Sequence, residues 1–431
     1  MLSGVQNEFI SLDEVSFWEW LAIGTFVQNL NDPDFLPKSN NDHVHLLSMM
    51  MENHWESIAL NRHTGVSSKS AKTLDSLSRH VPRKYLLELQ FCLAAYSSVF
   101  ATLFPPMISH LDNLVYIEWL LHMEPDDEKY RDHLVHMFRV AFVCNSLMQK
   151  KAIAQNVREC QFSSAHFLKW YREKVGNDLS GWDNSKKDRL LNAAIYLAAI
   201  FHDFGYGYYY LNRYRQRLAG ILPSLTQTEA TAGLQHRDMA RMRNSLTAKF
   251  VAKYHQAFQV SSSPHNEEVI LSGFFRDNLG INHSVASAMF LVDLADNLYA
   301  RHAISDELYV AFHLAAEAAM LHDMARDDKS LHFSTSNCGQ FLHCEKQKEV
   351  PIATLLFFAD NLELGKRPRF RKKISDNQCA HIIDDKKEEN SITIEYDASR
   401  KCLIIEPENL IMKMTLSLIL KRTILCCLVS L

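Results

Sequence analysis

Histidines and aspartates recur in this chain at positions where their side chains could gather around a metal. In "RDHLVHMFRVAFVCNSL", His133 and His136 lie three residues apart, on one face of a helix. His202 and Asp203 are adjacent at the end of the apolar run "YLAAIFHDFG", and His283 follows Gly280 in "GINHSVASAMFLVDLADNLYA". His322 and Asp323 end the alanine-rich "ELYVAFHLAAEAAMLHDM", and Asp360 ends the apolar run of "VPIATLLFFADNLELG". Imidazole nitrogen and carboxylate oxygen suit divalent ions such as Mn, Fe, Ni, Zn or Mg, and a helical bundle can aim donors from several helices at one point. A carboxylate has two oxygens and can bridge two ions. On this reading His136, His202, Asp203 and Asp360 hold one ion, while His283 and His322 complete a second. A lone histidine-aspartate pair among 21 histidines has ordinary structural explanations, such as capping a helix end. Recurrence on five segments is what points to metal.

Those segments read as helices, and so does most of the chain. Ser11 with Glu14, and Thr226 with Glu229, have the spacing of capping boxes, and Ser263 precedes a proline suited to the first helical position. With 13 glycines and 11 prolines, turns are scarce and helices long. The pattern predicts an all-α helical bundle in three parts. Residues 1–110 form a helical N-terminal region, 111–375 the dense helical domain with the candidate ligands, and 376–431 a small C-terminal appendage of α/β or β character. The appendage is expected because "SITIEYDASRKCLIIEP" alternates apolar and polar residues around a polar turn, as a β-hairpin does.

The motifs resemble those of the HD-domain superfamily of metal-dependent phosphohydrolases. They are H-x-x-R-V from His136 to Val140, "HDFG" from His202 to Gly205, and "FFADNLE" around Asp360, and the resemblance spans roughly residues 130 to 365. His283 and His322 look like the extra histidines of the binuclear branch, which includes cyclic-dinucleotide phosphodiesterases and di-iron oxygenases. The resemblance implies an HD-domain bundle with two divalent ions. Asp203 would bridge them, His136, His202 and Asp360 would hold the first, and His283 and His322 the second. It also implies a hydrolase that cleaves a phosphate ester or nucleotide with a metal-activated water, with His202 and Asp203 at the catalytic centre. Two departures matter. Many hydrolytic relatives carry a lysine soon after the pair, where this chain reads "HDFGYGYYYLNRYR", and the Gly-Tyr-Pro signature of the cyclic-dinucleotide branch is missing after His322. Arg213, Arg326 and Lys329, with Arg215 and Arg237, are the cations expected to meet a phosphate in place of that lysine, although each also suits a solvated surface. The same ligands suit a di-iron oxygenase, and a degenerate module that binds a nucleotide or protein partner is the third reading.

Composition narrows the rest. A chain of 431 residues is long enough for a substantial core. Its 46 basic and 50 acidic residues give a formal charge of -4, so no global field draws it to nucleic acid. The basic run from Gly365 to Lys373 could meet an anionic substrate, but it lacks the row of aromatic partners that single-stranded nucleic acid requires. Nine scattered cysteines without a CxxC pair fit reduced thiols. Cys338, His343 and Cys344 lack a second ligand pair at zinc-finger spacing, and His236, His255 and His265 read as structural. The first twenty residues lack a secretory signal, and Lys413, Lys421 and Arg422 break the apolar C-terminal run well short of the about 20 residues of a membrane span. A cytoplasmic protein is expected, with a small-molecule partner and a homo-oligomer as the assembly that the flanking regions would suit. Residues 325–349 are expected to form a loop over the site mouth. The tyrosines at 206, 208, 209 and 210 either stack a base or pack on the bundle.

Overall fold

The apolar runs that carry the candidate ligands all become helices, with ends set by local chemistry. The computed structural model describes residues 9–12, 17, 20–21, 92, 95–96, 99, 133–176, 179–206, 283–324 and 350–362, and four further strands within 370–407. The helices with described bounds are α1 (His133–Met148), α2 (Lys151–Ser163), α3 (Ala165–Val175), α4 (Asn184–Phe201), α5 (His283–Ala300), α6 (Asp306–Met324) and α7 (Pro351–Leu362), and Phe17, Trp20, Leu21, Cys92, Ala95, Tyr96 and Val99 are helical as well. Asp183 caps α4, its side chain accepting from the Lys186 amide at 2.7 Å. Ser164 does the same for α3, and Ser305 accepts from Leu308 N at 3.2 Å to start α6. Pro351 opens α7, where its missing N–H costs no helical bond.

The last twelve residues of α4, Leu190–Phe201, are buried apart from the partly shielded Asn192, so this half of the helix is apolar all round and must lie inside. It packs against α1, α6 and α7, and α6 in turn packs against α5 and α7. Phe138, Phe201 and Phe312 are fully buried at the centre, as is Tyr96 from the N-terminal part of the chain. Tyr96 Oη donates to the Ile200 carbonyl at 2.6 Å, satisfying one of the last carbonyls of α4. The α5–α6 connection closes through a Schellman turn: His302 adopts φ 53°, with His302 N donating to Tyr299 O and Ala303 N to Leu298 O, both at 2.9 Å.

Two antiparallel sheets accompany the helices. The alternating stretch near the C-terminus forms β4 (Ile392–Asp397) and β5 (Cys402–Pro407), and β1 (Phe9–Leu12) adds to the other side of β4 with Ser11 opposite Thr393. Strands β2 (Phe370–Ser375) and β3 (Gln378–Ile383) pair with each other. One expectation is corrected here. Ser11 does not begin a helix, because Ser11 and Leu12 belong to β1, whose backbone pairs with β4 rather than with a following helical turn. The helix starts expected at Thr226 and Ser263 lie outside the described residues. No described helix is long and apolar enough to cross a membrane.

Candidate metal centre

Five helix ends meet around Asp203. His136 lies in the first turn of α1 and His283 is the first residue of α5, while His202 and Asp203 follow α4 directly. His322 and Asp360 are in the last turns of α6 and α7. The carboxyl ends of α4, α6 and α7 bring the negative poles of three helices to the same region, a favourable field for a cation. Access is restricted: His136, His202, Asp203, His283, His322 and Asp360 are all buried.

The separations are those of donors facing a shared centre. Asp203 Oδ1 lies 3.5 Å from His202 Nε2, 3.4 Å from His283 Nε2 and 3.4 Å from His322 Nε2, while Asp203 Oδ2 is 3.5 Å from His136 Nε2. Asp360 Oδ1 is 3.0 Å from His136 Nε2 and 3.9 Å from His202 Nε2. Among the described residues, three overlapping triads place their ligand atoms within 4.8 Å of one another: His136, His202 and Asp203; His202, His322 and Asp360; Asp203, His283 and His322. Asp203 Oδ2 thus faces His136, while Oδ1 faces His202, His283 and His322.

Tautomers can be assigned from the backbone. His202 Nδ1 meets the Ala199 carbonyl at 2.7 Å, and His322 Nδ1 meets the Ala319 carbonyl at 2.5 Å. A carbonyl only accepts, so each Nδ1 carries the proton and each Nε2 presents a lone pair. Those two Nε2 atoms are buried without a hydrogen bond, and they face carboxylate oxygens that are also electron-rich. Lone pairs opposing carboxylates inside a protein are unfavourable unless a cation or protons lie between them. Burial pushes the His202 pKa well below its usual value, against the opposing pull of the Asp203 carboxylate, so the ring is neutral at pH 7 and ready to ligate. Burial raises the Asp203 carboxyl, and positive charge at His202 with N–H donation from His283 and His322 would hold it well below its ordinary value; with neutral rings that present lone pairs, a cation among them would take over this role. Donor types, orientation and charge thus fit one or two divalent ions.

Close packing sets the geometry. A Cβ on Gly205 would lie 2.0 Å from the His283 carbonyl oxygen and 2.8 Å from Ala286 Cβ, so only glycine lets the turn after Asp203 touch the start of α5. Gly205 N also donates to Ser287 Oγ at 2.7 Å. Tyr206 stacks on the His283 ring with centroids 3.9 Å apart and planes 12° from parallel, and its ring also meets His133 at 4.5 Å.

The six ligands expected from the sequence come together. His133 is buried beside Tyr206 and belongs to none of the three triads. Arg139 of the H-x-x-R-V motif is buried, its guanidinium 5.4 Å from the Phe17 ring centroid. Asp323 continues the helical backbone of α6. Arg213, Arg326 and Lys329 lie outside the described residues, as do Arg215, Arg237, His236, His255, His265, Cys338, His343, Cys344 and the loop expected over the site. Gly205 and Ser287 were not singled out by sequence reasoning; the glycine directly after "HDF" was the available signal. Comparison of the chain with family models, with curated proteins and with solved structures gave no match.

Proposed function

We propose that the protein is a metal-dependent phosphohydrolase acting on a phosphate ester or nucleotide. The observation that carries this reading is the convergence of four buried imidazoles on the carboxylate of Asp203, with the buried Asp360 carboxylate against two of the same rings. His136, His202 and Asp360 would hold one divalent ion with Asp203, and His283 and His322 would hold a second on its other side. Ions held there would supply Lewis acidity towards phosphoryl oxygen and lower the pKa of a water towards neutrality.

The chain's own residues account for the rest. The Ala199 and Ala319 carbonyls fix the His202 and His322 rings, so ligand geometry is set before anything binds. Apolar helix ends exclude bulk water, which strengthens every charge interaction inside the site. Arg213, Arg326 and Lys329 are proposed to take phosphate charge, and the protein is proposed to work in the cytoplasm.

The test starts from full-length protein purified without added metal or chelator. Plasma mass spectrometry should find one to two ions per chain, and none in His202→Ala. Manganese-loaded protein should hydrolyse p-nitrophenyl phosphate, bis(p-nitrophenyl) phosphate or a member of a nucleotide panel, with Asp203→Ala at least 100-fold slower and the circular dichroism unchanged. Activity in Asp203→Ala equal to the wild type would refute the assignment. Oxygen consumption by the iron-loaded form, with no phosphate release, would move the chemistry to the oxygenase alternative. Bound nucleotide without turnover would move it to a binding module.

A further inference from the structure

Ser287 lies one helical turn beyond His283 on α5, so the two share a face of that helix. The same face meets the turn that carries Asp203. Gly205 N donates to Ser287 Oγ at 2.7 Å, and both residues are buried. Gly205 also lies against the His283 carbonyl, so closely that a Cβ there would stand 2.0 Å from its oxygen. These two contacts act in opposite directions. Backbone against backbone limits how near the turn can come to α5, and the hydrogen bond limits how far it can move away.

The turn passes these limits on to Asp203 because it is short and internally bonded. Phe204 N donates to the Phe201 carbonyl at 3.1 Å and Tyr206 N to the Asp203 carbonyl at 3.0 Å, so Gly205 does not shift without its neighbours. Asp203 Oδ1 and His283 Nε2 stand 3.4 Å apart, across the junction that Ser287 closes. An ion ligated by both needs its donors held within about 0.5 Å of a productive geometry. Without the hydroxyl, the buried Gly205 amide loses this acceptor and the turn can move off α5. Resting on the metal-centre reading, we infer that Ser287 is a positioning residue: by holding Gly205, its hydroxyl fixes the gap between Asp203 and His283 and so sets the affinity for an ion that both ligate. His136 and Asp360 lie on α1 and α7, outside this junction.

The experiment uses full-length wild type, Ser287→Ala, Ser287→Thr, His283→Ala and the double variant of Ser287→Ala with His283→Ala. Manganese is titrated into metal-free protein by calorimetry, with circular dichroism as the check on folding. His283→Ala should abolish one binding event and so identify it. Ser287→Ala should weaken that same event by about tenfold or more, and Ser287→Thr, which keeps the accepting oxygen, should restore it. In the double variant any surviving event should match that of His283→Ala alone, because the hydroxyl has no ligand left to position. Unchanged affinity in Ser287→Ala would overturn the inference while leaving the metal centre standing. So would a loss in Ser287→Thr equal to that in Ser287→Ala, or an equal loss at an event that survives in His283→Ala, which would make the serine a general support of the bundle. A wild type that binds no manganese, or a His283→Ala chain that binds it as the wild type does, would instead refute the metal-centre reading on which the inference rests. Where either serine variant does not fold, Ser287→Cys takes its place and should bind more weakly than wild type, because sulfur is a weak acceptor.

Discussion

Substituting Gly205 by alanine tests the link between fold and site most directly. The added Cβ would stand 2.0 Å from the His283 carbonyl oxygen, whereas ordinary van der Waals contact begins near 3.4 Å. The turn carrying Asp203 and the first turn of α5 must then separate by about 1.4 Å, the difference between those distances. Neither side gives easily. The obstacle on one side is backbone at the head of an 18-residue helix packed on α6, and on the other side the turn is held by the Gly205 N to Ser287 Oγ bond. Gly205 is not among the positive-φ residues, so conformational strain does not add to the effect and the whole cost is steric. Overpacking of this kind typically costs about 1–3 kcal/mol, and loss of the buried Ser287 bond adds about 1 kcal/mol, so a loss of about 3 kcal/mol is expected. A displacement of that size would also carry His283 out of reach of an ion shared with Asp203. Urea denaturation of the metal-free chain reads the first effect, and manganese titration reads the second. An unchanged urea midpoint together with unchanged manganese affinity would show that the contact between the turn and α5 is not as described.

Three other outcomes are expected. Burial pushes the Glu317 carboxyl up to about 8 from its ordinary 4.5. Between those values the folded chain keeps a proton that the unfolded chain releases, so stability falls as pH rises through this window. Glu317→Gln should remove the decline, and its advantage over wild type should grow by about 2 kcal/mol between pH 5 and pH 8, allowing for the partial exposure of the side chain; calorimetry showing parallel curves would contradict this. His302 holds a left-handed conformation at the end of α5, so His302→Gly should raise stability by about 1 kcal/mol, and a lower melting temperature would count against the Schellman assignment. Finally, manganese at 100 times its dissociation constant should stabilise the folded chain by about 2.7 kcal/mol. Chelation should reverse the gain in wild type and have no effect in Asp203→Ala.

The ligands were legible because donor chemistry and order survive in a linear text, and because each donor sits at the end of an apolar run long enough to be a buried helix. The local device that orients His202 and His322 was legible in principle, since a histidine at a helix carboxyl end can reach the carbonyl three residues back. What sequence reading missed depends on contacts between distant segments. Gly205 touches His283 and Ser287, 78 and 82 residues away, and nothing near Gly205 announces that approach. Tyr206 was left open between stacking a base and packing on the bundle; it stacks on the imidazole of His283. Ser11 followed the capping pattern correctly as local chemistry, yet its partner, Thr393, lies at the opposite end of the chain and pairing with it won.

Burial is what makes the cluster selective as well as costly. Two cations, or protons in their place, can relieve the opposition between imidazole lone pairs and carboxylates. A proton on His202 would have to reside on an imidazole that burial has made less basic. A divalent ion gains from the same surroundings, because it neutralises Asp203 and Asp360 together and binds Nε2 atoms already turned towards it by the Ala199 and Ala319 carbonyls. Near neutral pH the balance therefore favours metal over proton. Because the imidazoles must be neutral to ligate, metal affinity should fall on acidification.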